Sequence, residues 1–383
     1  MSYIGVLGAS IAHMLARLLC GLLALAGLGA STSACAVEAT ADDPTEDDVQ
    51  EVKVDTSTPE SRAQYDANVA FALAYSARCA MPDDGAPRVL VTGYGRFGSI
   101  TNNATGRIVS ALVPTARYPE TTPAAPGTID PPDAQVSVGV TTLELPDVGR
   151  VHVCGMVLPV SWDLAAILVS REIAAIEPSL VIMNGVAQAR QPLWLELGAV
   201  NEASGDDSSG LTPSRVSGQP RAKIIGTAAT TEHARGNLLA WEAVRTAVDA
   251  ARDAQARDVE GASVFGDVLR SGAVYARFPR ANTYLCNNVT YVTGYLMDHP
   301  ERTVRLLQAS RAVRGKPNDV RVRLGVDMSR TPRVFFHWPS GLAEHHHGAG
   351  AAVLRAAIGA QLAATARGES VRGDAMTPTP GGP

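Results

Sequence analysis

The chain predicts an α/β fold, an open and mostly parallel sheet covered on both faces by helices. Three observations predict it. Short apolar runs such as Val89-Leu90-Val91 and Leu180-Val181-Ile182-Met183 have the length of strands buried on both faces. They alternate with longer stretches of helical spacing, such as the one carrying Leu238, Leu239, Trp241, Val244 and Val248. Hydrophobic residues make up 46% of the 383 residues, ample for one large core. The formal net charge of -5, with no basic stripe and no aromatic-interleaved Lys/Arg run, argues against a nucleic-acid partner.

The N-terminus is set apart from this pattern. Leu18 to Gly29 is an apolar run preceded by Arg17, the order of an export signal, and it is shorter than the ~20 residues a membrane span needs. Met14 is an alternative start, since Met14 to Arg17 makes a compact charged region. Two processing sites compete. Ala34-Cys35-Ala36 reads as a small-x-small cleavage site, and Thr32-Ser33-Ala34-Cys35 as an imperfect lipobox that would acylate Cys35 and anchor the chain to a membrane. Exported, the protein would be periplasmic, extracellular or a membrane-anchored lipoprotein. The expected organisation is an export signal over 1–36, an acidic linker over 37–60, an α/β domain over 61–367 and a disordered polar tail over 368–383.

Within the domain the spacing predicts a helix over 62–80, a strand at Val89 to Val91 and a helix over 103–113. A Pro- and Thr-rich loop follows over 114–134, then strands over 136–145 and 151–158. A helix over 161–176 is expected with Ser161 as its N-cap, and a strand follows at Leu180 to Met183. Residues 202–222 read as a mobile polar loop, with helices expected over 236–256, 287–298 and 349–366. Of the cysteines outside the signal and its processing site, Cys79 and Cys154 are open to two readings, a disulfide that leaves Cys286 as the free thiol, or two small buried apolar residues.

Four segments could carry chemistry. Gly93 to Gly98 matches G-x-G-x-x-G, but no strand leads to an acidic residue about 20 positions on, which weakens a dinucleotide reading. Cys286 lies just before a predicted helix, where free N–H groups and the helix dipole stabilise a thiolate and can hold an oxyanion. A buried structural Cys is the rival reading. His337 ends the apolar run Val334 to Phe336 and is stopped by Pro339, so it can reach the sheet's edge as a base, or simply be packed there. Glu196 sits between Leu195 and Leu197, and if buried it needs a partner, for which His337 is available.

Together these segments resemble the pyroglutamyl peptidase I family of cysteine peptidases over roughly residues 88–366. Val89 to Gly98 is similar to the family's opening strand and G-F-x-P-F-G turn, Asn103-Ala104-Thr105 to its N-P-S/T, and Leu158-Pro159-Val160 to its L-P-V. Gly185 to Asn201 fits G-x-x-x-x-R-x-x-x-x-x-E-x-x-x-x-N without a gap, with Arg190, Glu196 and Asn201 on the marked positions. Ala281 to Tyr291 resembles A-G-T-Y-L-C-N-N-x-x-Y, with Asn282 for Gly, and Phe335 to Pro339 resembles F-I-H-V-P. The resemblance implies a single three-layer α/β domain with a twisted, mostly parallel central sheet. It implies a peptidase that removes N-terminal pyroglutamyl residues, with Cys286 as nucleophile, His337 as base and Glu196 orienting it. Tyr94, Phe97, Asn103, Arg190 and Leu285 would meet the substrate. No metal or organic cofactor is implied, the partner is a peptide with an N-terminal pyroglutamate, and a homo-oligomer is compatible.

The chain departs from that family where Tyr94 and Arg96 stand for Phe and Pro, and where Ser204 to Gly210 replaces D-A-R-I-P-D-N. These changes bear on substrate preference. They keep open a related amide hydrolase, or an exported binding protein without efficient turnover. Glu344-His345-His346-His347 is a weak metal motif, because consecutive His side chains do not converge readily on one ion.

Overall fold

Alternation at period two decides how the strands sit. In β3 (Arg88–Tyr94), Val89 and Val91 enter one core, while Leu90 and Tyr94 enter the other. Both sets are buried, which is why the run is apolar throughout. The computed structural model describes residues 47–49, 53–98, 100–187, 193–214, 221–258, 273–276, 283–340 and 342–372, all within one compact unit, Thr45–Pro383.

In chain order the described elements begin with β1 (Asp47–Val49), β2 (Lys53–Val54), α1 (Pro59–Ala74), β3 and α2 (Ala104–Leu112). Next come β4 (Ser137–Leu145), β5 (Gly149–Leu158), α3 (Leu164–Ile176), β6 (Leu180–Ala187), β7 (Leu193–Glu196) and β8 (Gly198–Val200). They continue with β9 (Pro213–Ser214), β10 (Ala234–Gly236), β11 (Leu238–Leu239), α4 (Trp241–Asp258), β12 (Ala273–Ala276) and α5 (Leu285–Asp298). Last are β13 (Thr303–Leu306), β14 (Gln308–Ala309), β15 (Val320–Val322), β16 (Arg333–Pro339), α6 (His347–Ala366) and β17 (Val371–Arg372).

The central sheet runs β12-β7-β16-β6-β3-β5-β4, with β11 on β16 and β17 on β11. Strands β16, β6, β3 and β5 are mutually parallel, so the sheet is mostly parallel at its centre. β4 closes one side as an antiparallel hairpin with β5, and β7 runs antiparallel to β16. One core joins the sheet to α1, α3 and α5, and the other joins it to α2, α4 and α6. Helix α6 belongs to a segment, Glu344–Ala366, long and apolar enough to cross a membrane, yet it packs on α2 and α4 as a core helix.

Several expectations shift. The acidic stretch read as a linker is not solvated to its end: β1 pairs with β13, β2 pairs with β14 and β9, and Val54 is fully buried. Pairing to distant strands fixes this segment despite its lack of periodicity. Helix α1 starts at Pro59 because Thr58 and Ser61 form a reciprocal capping box. Ser161 does not cap α3: its hydroxyl donates to Asp207, and Asp163 stands at the N-cap. The tail read as disordered pairs β17 with β11 before the described residues end. The segment assigned to export lies outside the described residues.

Cys79 and Cys154 are disulfide-bonded, with Cα atoms 5.8 Å apart and a sequence separation of 75. The buried Glu172 carboxylate fixes the same segment, accepting from the backbone N–H of Arg78 at 2.7 Å and of Cys79 at 3.1 Å, and from the Tyr75 hydroxyl.

Candidate active site

Three elements bring three polar side chains onto one face of the sheet. In β7, Leu193 and Leu195 are buried in the α4/α6 core, which turns Glu196 to the opposite face. In β16, Val334, Phe336 and Trp338 occupy that same core, which turns Phe335 and His337 the other way. The antiparallel pairing sets Glu196 opposite Phe335, so His337 is its diagonal neighbour. The side chains close that diagonal: Nδ1 of His337 lies 2.8 Å from Oε1 of Glu196. Both residues are buried. Among the described residues, Oε2 of Glu196 has no hydrogen-bond partner.

Cys286 is the second residue of α5 and a half-buried free thiol. The helix starts two residues earlier than its periodicity suggests, so the cysteine is in the first turn and not ahead of it. The first i→i−4 bond runs from Asn288 N–H to Tyr284 O, and no side chain caps the helix start. The N–H groups of Leu285, Cys286 and Asn287 therefore lack intrahelical acceptors, as at any helix N-terminus. They can hold a developing negative charge. Two asparagines pin the turn. The Asn287 side chain exchanges two bonds with the Val200 backbone and donates to Glu202 O, and Asn288 donates to Asp163.

Gly185 makes room for the sulfur. A Cβ on Gly185 would stand 2.8 Å from Cys286 Sγ and 2.6 Å from Cζ of Phe335. Gly185 is paired with His337 across β6 and β16, so the thiol comes down over the strand beside the imidazole. His337 is hydrogen-bonded with Glu196 and lies close enough to Cys286 to feel its charge. Burial pulls the imidazole's pKa down, but interaction with Cys286, together with the hydrogen bond and charge of Glu196, pushes it up to about 10. His337 is thus held as an imidazolium at neutral pH. A thiol, an imidazolium, a buried carboxylate and free N–H groups together can perform nucleophilic acyl transfer.

Beside the thiol is an aromatic cluster. The Tyr284 ring lies 5.7 Å from Phe97 and 5.8 Å from Trp162, and the core there includes Tyr94 and Leu285. Of the residues read as substrate-binding, Tyr94, Phe97 and Leu285 are gathered here. Asn103 does a different job: its Oδ1 caps α2, accepting from the N–H and hydroxyl of Thr105, and Thr105 Oγ1 accepts from Tyr94 N–H. Arg190 lies outside the described residues.

The Ser204 to Gly210 segment is held tightly. Asp207 is buried and accepts from Ser161 Oγ, Trp162 N–H, Ser209 N–H and Oγ, and Leu211 N–H at 2.6–3.2 Å. Burial raises its carboxyl above the usual range against those bonds. The segment lies over Tyr284, whose hydroxyl donates to Asp206 O, while Trp162 Nε1 donates to Gly205 O. Gly205 has φ +100°, and a Cβ there would meet the Tyr284 ring at 2.7 Å.

Sequence reasoning passed over Gly185, Tyr284 and Asp207 as site residues. Gly185 had one signal, a glycine ending an apolar strand run, where close approach of another group is the usual reason. Asp207 had none, because a buried aspartate among Asp, Ser and Gly reads as a solvated loop. Among the described residues, the His345 to His347 run included, no group of three or more His, Cys, Asp or Glu side chains is arranged to hold a metal ion.

No protein-family model matches this chain, and no curated protein does. Solved structures overlap it weakly. The pyrrolidone carboxyl peptidase from Thermococcus litoralis is 18% identical, covering 74% of this chain and 96% of its own, with a TM-score of 0.45. A mutant pyrrolidone carboxyl peptidase from Pyrococcus furiosus is 17% identical, covering 72% and 98%, with a TM-score of 0.42. Pyroglutamyl peptidase I from Bacillus amyloliquefaciens is 16% identical, covering 72% and 97%, with a TM-score of 0.41. At such identities and overlaps the likeness carries nothing about substrate or catalytic residues.

Proposed function

We propose that this protein is a cysteine peptidase that removes N-terminal pyroglutamyl residues from peptides, built as a single three-layer α/β domain. The observation that carries the chemistry is the buried Glu196–His337 pair on one sheet face, with the half-buried Cys286 thiol over the neighbouring Gly185 at a helix N-terminus. The substrate class rests on the motifs around Glu196 and Cys286 and on the aromatic cluster beside the thiol, which suits a small flat ring.

In this reading the Cys286 thiolate attacks the carbonyl carbon joining the pyroglutamyl ring to the next amine. The oxyanion forms against the N–H groups that open α5. Collapse breaks the C–N bond, and the amine leaves with a proton from His337. The resulting thioester is hydrolysed by a water whose proton passes to His337, and pyroglutamate departs. Glu196 holds the imidazole and balances its charge. This chemistry calls on no metal or organic cofactor. The protein acts outside the cytoplasm, by the reading of its N-terminal segment, either free or anchored through Cys35.

Release of a fluorophore from a pyroglutamyl-amide reporter tests the proposal. Wild type should release it and Cys286→Ala should not. Equal release by the two, or none by either, overturns it.

A further inference from the structure

A second polar group faces the thiol, on the side away from His337. Among the described residues, Thr92 pairs with Met183 across β3 and β6. The pairs recorded between β3 and β6 end there, and the same register carried two residues further along both strands sets Tyr94 level with Gly185, which is itself paired with His337 on β16. Tyr94, Gly185 and His337 thus form one row across three parallel strands. Tyr94 shares its face with Leu90, Met183 and Phe335, the face on which α5 lies. The glycine is the gap in the row and Cys286 Sγ lies over it. With neighbouring strands about 4.8 Å apart, the Tyr and His side chains flank the sulfur from opposite sides.

The Tyr94 hydroxyl is anomalous. The side chain is 4% exposed, and its Oη has no hydrogen-bond partner among the described residues. The hydroxyls of Tyr65, Tyr118 and Tyr291 all donate to backbone carbonyls, and that of Tyr75 to Glu172. A buried hydroxyl without a partner is uncommon because it forfeits solvation without compensation. Burial, and then the charges of Cys286 and Tyr284, hold the phenol well above its ordinary value, so it stays a donor.

The chemistry says what it would donate to. His337 returns the proton to the leaving amine, so the amine lies on the His337 side of Cys286. The acyl group then lies on the opposite side, against Tyr94 and the aromatic cluster. The N–H groups of α5 serve the scissile oxygen. The remaining acceptor on a pyroglutamyl group is its ring carbonyl. We propose that the Tyr94 hydroxyl hydrogen-bonds the ring carbonyl of the acyl group and so selects five-membered lactams over rings that lack it. This rests on the peptidase reading for the identity of the acyl group.

The test is a double comparison by calorimetry. Pyroglutamyl amide and the cyclopentanecarbonyl amide of the same amine, which lacks the ring carbonyl, are titrated into Cys286→Ala and into Cys286→Ala/Tyr94→Phe. Tyr94→Phe should weaken lactam binding roughly 3- to 10-fold, the range of a neutral hydrogen bond, and leave the carbocyclic amide within about 2-fold. Its Tm should be unchanged or higher, because an unpartnered buried hydroxyl has been removed. Equal weakening of both ligands, no weakening, no lactam binding at all, or a lowered Tm overturns the inference. Reporter release by the wild type separates the two readings. Release with no selective Tyr94 effect defeats this inference alone, and selective lactam binding without release defeats the peptidase reading alone.

Discussion

Adding one methyl group at Gly185 tests the whole site. Gly185→Ala is permitted by the backbone, since Gly185 is not among the residues with positive φ. The difficulty lies in the space above it. The new Cβ would stand 2.8 Å from Cys286 Sγ, where ordinary contact begins at 3.4 Å, so the sulfur must retreat by about 0.6 Å. It would also stand 2.6 Å from Cζ of Phe335, whose ring packs edge-on against His337 with centroids 5.0 Å apart. One methyl therefore pushes the thiol off the imidazole and disturbs the ring that braces the imidazole. A misplacement of about 1 Å at a reacting centre costs on the order of 100-fold, so a loss of roughly 10- to 100-fold in kcat/KM is expected. Overpacking adds about 1–3 kcal/mol of destabilisation, a Tm lower by roughly 2–10 °C. The assay is reporter release, paired with iodoacetamide labelling of Cys286 read by mass spectrometry. Labelling should slow with activity, because both need the thiol beside His337. Wild-type kcat/KM and wild-type labelling in a folded Gly185→Ala protein would refute the placement of Cys286 over β6.

Further outcomes follow from the structure. His337 is pushed up to about 10 from its ordinary 6.5, so it is protonated at neutral pH and the alkaline limb of kcat/KM should reflect its loss of a proton near pH 10. Glu196→Gln keeps an acceptor but removes the carboxylate charge, which should lower the imidazole's pKa and move that limb to lower pH; an unmoved limb would break the link between the two residues. By the same linkage, the stability His337 contributes is full below about pH 6.5 and declines as pH rises through about 10, and the pH dependence of Tm in wild type and His337→Ala checks this. Reducing the Cys79–Cys154 bond reopens a loop of 75 residues, an entropic loss of about 4–5 kcal/mol. Unfolding titrations with and without reductant should show it, while reporter release persists wherever the reduced protein stays folded, since neither cysteine belongs to the constellation around Cys286.

The strands were legible because burial on both faces writes itself as continuous apolar runs. β3, β6 and β16 lie where Val89, Leu180 and Val334 announce them, extended by a few residues that pair without being apolar. Helix starts were less legible. α3 begins at Leu164 rather than at the Ser161 cap, because Asp207, 46 residues away from Ser161 in sequence, takes the Ser161 hydroxyl. Strands β1 and β2 could not be read as folded, because they are three and two residues long and their partners lie about 160 to 255 residues further on. The same limit hid Asp207 and Gly205. Their meaning comes from Trp162 and Tyr284, which only the fold brings to them.

What the candidate site shares with the strands explains why its charged members could be read at all. Glu196 and His337 each interrupt an apolar strand run, and a strand tolerates such a residue only on a face where a partner waits. The apolar residues on the other face decide which face that is. Leu193 and Leu195 in β7, with Val334, Phe336 and Trp338 in β16, anchor both strands in the α4/α6 core. A one-residue slip of β7 would send Glu196 into that core and lift the leucines out, so the leucines fix the carboxylate's register. The imidazole is fixed by the same means in β16. Cys286 is then set over the row by α5, through Asn287 on β8 and Asn288 on Asp163. The polar constellation is therefore positioned chiefly by residues that never touch it. Its geometry should be more sensitive to a shift in β7 packing, or to a methyl at Gly185, than to substitutions at an exposed position such as Leu73 of α1.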